Sequence, residues 1–246
     1  MRRLILHIPH AATNIPITEG YSVSETILDQ EILKLTDWYT DDLFENNTDI
    51  SIKAPFSRIF CDTERFSDDS QEIMAQYGMG VLYEKTDSGK PLRKVTTDLR
   101  TEILDNYYWK HHNKFTDEVR NQLTKNSTVT IVDCHSYPSN PIVRDLDQNR
   151  NRPDFNIGTD GFHTPQKLIG ASIAFFEKKG YSLGFDWPYK GAIVPLQYYN
   201  KDKNVQSIML EINRGLYLNE PSNEKSIRYP EIKQVVQEYL NVMRNL

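Results

Sequence analysis

The residues most able to do chemistry lie where stretches of β-branched and aliphatic residues stop. The run Ser127-Thr128-Val129-Thr130-Ile131-Val132-Asp133-Cys134-His135-Ser136 ends in an acid, a histidine and a serine. The same grammar appears in Leu4-Ile5-Leu6-His7-Ile8-Pro9-His10 and in Ser207-Ile208-Met209-Leu210-Glu211-Ile212-Asn213-Arg214. β-branched residues favour strands, and open α/β sheets gather ligands and catalytic groups at strand ends. Two strand-end histidines and a strand-borne glutamate point to a mononuclear metal hydrolase. A catalytic zinc needs about three nitrogen, oxygen or sulfur ligands and an open position for water. His10 and His135 supply two of these, and the third is an acid. Asp37 stands in an otherwise apolar helical stretch, and Glu64 follows a short strand. The residues alone leave both open. A single strand-end histidine is most simply structural, and Asp37 alone is most simply a solvated helix acid. The combination with Pro9-His10 and Glu211 is what favours a metal.

The surrounding charges sort by geometry. Asp133 lies two residues before His135, on the same face of a strand, where it can accept the imidazole's other N–H and fix its tautomer. A buried acid bonded to loop amides is the competing explanation. His7 is expected to be structural or to support the ligands. His111 and His112 are adjacent in a helix and cannot both face one site, and His163 falls in a loop. Arg65 is the best carboxylate anchor, because a guanidinium binds a carboxylate through two hydrogen bonds. Arg214, three residues after Glu211, faces the other side if the strand continues, and so is as well suited to an ion pair as to substrate. Lys190 sits in a glycine-containing loop able to clamp a carboxylate. Arg144, Arg150 and Arg152 lie on a long loop, and one of them is expected to close over substrate.

These residues need a frame. Strands are expected at residues 3–8, 50–54, 57–61, 128–134, 181–186, 192–199 and 206–212. Helices are expected at 25–46, 97–125, 165–180 and 229–244, and extended connections at 66–90 and 138–165. Strands alternating with helices imply one α/β domain over residues 1–246, with a mostly parallel or mixed central sheet between helical layers. The chain of 246 residues is long enough for a sizeable core. A net charge of −5 with no basic stripe argues against a nucleic-acid partner. No apolar run approaches the roughly 20 residues that span a bilayer, and the N-terminus reads as a first strand, not a signal peptide. Only Cys61 and Cys134 are present, so a reduced, cytoplasmic protein is expected.

Taken in order, Ile8-Pro9-His10-Ala11, Thr36-Asp37-Trp38, Asp62-Thr63-Glu64-Arg65, Asp133-Cys134-His135-Ser136, Pro153-Asp154-Phe155-Asn156-Ile157-Gly158-Thr159, Tyr189-Lys190-Gly191 and Leu210-Glu211-Ile212-Asn213-Arg214 resemble the N-formylglutamate amidohydrolases across nearly the whole chain. Zinc carboxypeptidases and aspartoacylases are relatives of that family. The resemblance implies a phosphorylase/hydrolase-like α/β fold and one zinc ion per chain, held by His10, Asp37 and His135. It implies Glu211 as general base and cleavage of N-formyl-L-glutamate to formate and glutamate. Glu64 moves toward substrate contact, since asparagine is common at its position in the family. Its extra negative charge near Arg65 is awkward for a dicarboxylate substrate, and Ala192 stands where a second glycine is common. Two other readings therefore stand beside the first: an amidase of the same mechanism acting on another N-acyl amino acid or short peptide, and a catalytically silent binding protein on the same scaffold. A nucleic-acid phosphodiesterase fits least, for want of an acid cluster suited to two metals and of a basic groove.

Overall fold

The computed structural model describes residues 3–246. Six strands form one sheet: β1 (Ile5–Ile8), β2 (Ile50–Lys53), β3 (Val129–Tyr137), β4 (Phe155–Gly158), β5 (Leu183–Phe185) and β6 (Val205–Asn213), in the order β2-β1-β3-β6-β4-β5. Every neighbouring pair is parallel except β4 with β6, so the sheet is mixed. A short hairpin of β7 (Leu218–Asn219) and β8 (Glu224–Lys225) stands apart. The helices are α1 (Glu25–Leu35), α2 (Thr40–Phe44), α3 (Thr97–Ile103), α4 (Trp109–Leu123), α5 (Gln166–Lys179) and α6 (Tyr229–Arg244).

Period-two alternation divides each central strand between two faces. Leu6 and Ile8, Val132 and Cys134, and Ile208, Leu210 and Ile212 pack in one core with Leu43 and Phe44 of α2, Phe176 of α5 and Tyr239 and Leu240 of α6. Ile5, Val129, Ile131 and Val205 face the other way, onto Phe115 and Val119 of α4. This makes three layers. The second face changes character along the strands, because its apolar residues give way at the C-terminal ends to His7, Asp133, His135 and Glu211. Register aligns them: His7 pairs with Asp133 across β1 and β3, and His135 pairs with Glu211 across β3 and β6.

Several expected elements take a different form. β3 runs on to Tyr137, so His135 sits inside the strand and not at its end. Residues 57–61 are a turn closed by Phe60 N–H on the Ser57 carbonyl. Residues 192–199 are not a strand, and Ile193 N–H bonds to the Asp133 carboxylate in place of a ladder. The connection 138–165 contains β4. The expected helix 97–125 is divided by a π-helical turn at Leu104–Tyr108.

The expected helix 25–46 is broken, and the break matters most. α1 ends at Leu35, Thr36 is extended, and Tyr39 adopts a left-handed φ of 61° before α2 begins. The carbonyls freed at the end of α1 need partners. Trp38 and Asn223 donate to the Leu33 carbonyl and Arg214 to that of Lys34. Asp37 N–H bonds to the His10 carbonyl at 3.0 Å, tying the break to the end of β1.

Candidate metal centre and cleft

His10, just beyond β1, Asp37, in the break, and His135, on β3, converge and are all buried. One donor atom from each lies within 4.8 Å of the others. His135 Nδ1 is 3.1 Å from Asp37 Oδ2, and His10 Nδ1 is 3.6 Å from the same oxygen. His10 gives its Nε2–H to Asp62 Oδ1 at 2.8 Å. That bond fixes the tautomer and leaves Nδ1 as a bare lone pair with no hydrogen-bond partner, aimed at the cluster. Asp37 is oriented from its other side, where Arg214 bonds Oδ1 at 2.9 Å. Two imidazole nitrogens and one carboxylate oxygen suit zinc, so the residues present fit a divalent ion.

The electrostatics follow from this packing. Burial works against charge on Asp37, but His10, His135 and Arg214 outweigh it and hold the carboxyl well below its usual range. Asp62, buried with Arg58, His10 and Arg65 around it, is likewise held low. Glu211 goes the other way, pushed up to about 8 by burial and by repulsion from Asp37, with His135 opposing. Its Oε2 is buried without a hydrogen-bond partner. A carboxyl beside a histidine–carboxylate cluster, able to take and release a proton near neutral pH, has the properties of a general acid–base group.

A cleft of about 420 Å³ opens over these residues. Most of its cations are engaged. Arg58 holds Asp62 and Tyr83. Arg152 holds Asp145 at 2.6 Å, and Arg144 bonds the Asp87 carbonyl. Arg214 is committed to Asp37, the Lys34 carbonyl and Ser136. It therefore holds Asp37, the ion-pair role that its sequence position leaves open beside substrate contact. The physical reason is that β6 stops at Asn213 and a 3₁₀ turn at Arg214–Leu216 swings the side chain inward. Arg65 differs from these. Its Nε has no hydrogen bond, and Asp62 and Glu72 approach no closer than 3.9 Å. Lys190 is exposed at the rim. Of the loop arginines, Arg144 and Arg152 line the cleft.

Glu64 turns away from Arg65 and lies between two histidines, with Oε1 at 3.1 Å from His7 Nδ1 and Oε2 at 3.3 Å from His135 Nε2. Burial would raise its pKa, but His135 and His7 pull it well below the usual carboxylate range. Its charge is therefore met locally and does not cancel Arg65. Asp133 Oδ1 is 3.1 Å from His135 Nε2, yet its hydrogen bond goes to His7 Nδ1 at 2.9 Å. It lies against His135, but its hydrogen bond orients His7. His111 reaches His7, while His112 lines a second cavity, so the adjacent pair does diverge. His163 bonds the Val205 carbonyl and the Asn200 N–H and is structural.

Sequence reading gives Asp62 no role of its own, and it gives His7 a structural or supporting role without its partner His111. Asp62 had a signal, since it opens the Asp62-Thr63-Glu64-Arg65 motif three residues before Arg65. His111 had none, because its contact joins α4 to β1 across 104 positions of sequence.

Fold and site together define an α/β protein with a buried histidine–carboxylate cluster, able to hold a metal ion, at the C-terminal ends of its strands. The chain belongs to the N-formylglutamate amidohydrolase family, whose model matches residues 2–218. The structure is similar to the crystal structure of N-formylglutamate amidohydrolase from Ralstonia eutropha JMP134, with a TM-score of 0.85 and 22% identity over 100% of this chain and 96% of that one. It is also similar to the gene product Atu2144 from Agrobacterium tumefaciens, with a TM-score of 0.67 and 15% identity over 98% of this chain and 89% of that one. Both likenesses bear on the fold. No protein of curated function matches the chain in sequence. Among the described residues no helix is long and apolar enough to cross a membrane.

Proposed function

We propose that residues 1–246 form a single catalytic domain that hydrolyses N-formyl-L-glutamate, or a closely similar N-acyl amino acid, to the free acid and the amino acid, using one zinc ion held by His10, Asp37 and His135. The observation that carries this reading is the convergence of three buried donor atoms beside Glu211, which is in register with His135. Zinc in such a site would supply Lewis acidity, which lowers the pKa of water to about 7. Glu211 takes the proton of the attacking water and returns it to the leaving nitrogen. Arg65 anchors a substrate carboxylate through its guanidinium, and Lys190 can meet a second one at the rim. Arg214 and Asp62 hold Asp37 and His10 in place. A cytoplasmic setting is in keeping with Cys61 and Cys134, both buried free thiols.

A second reading has its own support. A further cavity of about 330 Å³ adjoins the cleft at Glu64, Arg65, Lys190 and Met209 and carries Phe66, Ile193, Val194 and Leu196 in its walls. That space favours the same chemistry on a substrate bulkier than N-formylglutamate. One experiment tests both readings: zinc-loaded protein assayed on N-formylglutamate, on N-formyl derivatives of neutral amino acids, on N-acetyl amino acids and on short peptides. N-formylglutamate is expected to be cleaved, and Arg65→Ala to raise its KM by about 10–100-fold, the worth of a charged hydrogen bond, with little effect on neutral substrates. Preferred cleavage of a bulkier substrate would favour the second reading. Absence of hydrolysis of every compound by fully loaded protein would remove both.

A further inference from the structure

A second group of metal-ligating atoms lies beside the first, on the far side of the His135 ring. One donor atom from each of His7, Glu64 and Asp133 lies within 4.8 Å of the others. His7 Nδ1 is 2.9 Å from Asp133 Oδ1 and 3.1 Å from Glu64 Oε1. Ligands about 2.1 Å from a first-row ion sit roughly 3–3.4 Å from one another, so these spacings suit shared coordination.

Hydrogen bonding alone does not satisfy the group. His7 Nδ1 carries at most one proton, and that proton goes to Asp133. Glu64 Oε1 is left buried without a hydrogen bond. His135 is 4% exposed, and its Nε2 also lacks a hydrogen bond although Asp133 Oδ1 and Glu64 Oε2 lie within 3.3 Å of it. Buried polar atoms are rarely left so. The supports of a metal site are present as well. His111 Nε2 lies 2.9 Å from His7 Nε2. With His7 Nδ1 turned to the two carboxylates, its Nε2–H is left to bond His111 Nε2, which fixes the orientation of the His7 ring. Ile193 N–H holds Asp133 by its other oxygen at 3.1 Å. Access comes through the second cavity, whose wall includes Glu64 and Asp133 and leaves room for water ligands.

We infer that His7, Glu64 and Asp133 form a second divalent-cation site, separate from that of His10 and Asp37, with the His135 ring standing between the two. One imidazole, two carboxylates and water suit a borderline transition ion such as Zn²⁺ or Mn²⁺ better than Ca²⁺, which takes an all-oxygen shell. The site goes beyond the proposed reaction and does not depend on the substrate being an amide.

The test is a metal count. Full-length protein stripped with a chelator is titrated calorimetrically with Zn²⁺ alone, and bound zinc is measured by mass spectrometry after removal of the free ion. Two equivalents per chain are expected for the unaltered protein. One is expected for Glu64→Gln and for His7→Gln, and one, by loss of the other ion, for His10→Ala. Glu64 lies at the cavity wall with a 15% exposed side chain, so its variant is the one to rely on if the substitution at His7 impairs folding. Circular dichroism checks that each variant is folded. A single equivalent in the unaltered protein, or two retained in folded Glu64→Gln, overturns the second site. Two equivalents retained in His10→Ala, with one lost in Glu64→Gln, would instead overturn the first site and leave the second standing.

Discussion

Glu211 is the residue whose surroundings say most about its task. It is a carboxyl on the buried central sheet, next in register to a histidine and close to a second acid, and its proton is held up to about pH 8. A raised carboxyl pKa has a definite sign in folding. In the unfolded chain the group ionises near its ordinary 4.5, while in the fold it stays protonated until about 8. Between those values the unfolded state has fewer protons, so stability falls as pH rises through that window and levels off above it. Glu211→Gln removes this ionisation. In chelator-treated protein, the variant should therefore gain on the unaltered chain between pH 5 and pH 8. The gain should be on the order of a few kcal/mol, or roughly 5–10 °C in Tm for a chain of this size. Thermal unfolding at the two pH values measures it. Parallel curves would mean that the Glu211 carboxyl is not held protonated by the fold. In metal-loaded protein the same substitution should keep the bound ion and lower kcat by about 10²–10⁴-fold, the usual worth of a general base.

At the scale of elements, the site depends on one broken helix and one 3₁₀ turn. Asp37 is presented because α1 stops at Leu35, and it is held because the turn at Arg214 returns a guanidinium to it. Arg214→Met should leave the sheet intact and weaken zinc binding by about 10–100-fold, as loss of a ligand's supporting partner does. Arg214→Lys, which keeps the charge but not the planar fork, should recover part of that loss. Competition against a chromophoric chelator measures both, and an unchanged Kd in Arg214→Met would show that Asp37 needs no such support. The same two elements mark where sequence reading ran out. The apolar spacing through Ile32, Leu35, Trp38 and Leu43 is compatible with one long helix, and nothing local to it announces that Arg214 and Asn223, some 180 residues on, will take the carbonyls at its end. The face alternation of β1, β3 and β6 was legible, because period two with apolar residues yielding to His7, Asp133, His135 and Glu211 is a local pattern. Residues 192–199 look like a strand for the same reason, yet Ile193 N–H goes to Asp133, a bond no local pattern reveals.

For the molecule as a whole, the cluster joins parts of the chain that the core holds only indirectly. His10 follows β1, Asp37 lies between α1 and α2, and His135 belongs to β3. The hydrophobic core behind the sheet sets their approach through Leu6, Val132, Leu43 and Tyr239, which pack in one cluster. An ion bound by all three closes long loops of chain and binds the folded state selectively, because the unfolded chain has no such arrangement. The stabilisation is set by mass action, about 2.7 kcal/mol at a free zinc concentration 100 times Kd. In a chain of 246 residues this is roughly 5–10 °C in Tm. Chelation should lower the melting temperature by that amount, and zinc should restore it in proportion to the logarithm of its free concentration. His10→Ala should lose the share of that gain owed to this ion and keep only what zinc bound by His7, Glu64 and Asp133 supplies. If the Tm of the unaltered protein does not respond to zinc across a thousandfold range, the three residues do not grip an ion together, and their burial side by side must be explained by the ion pairs of Asp37 and Asp62 alone.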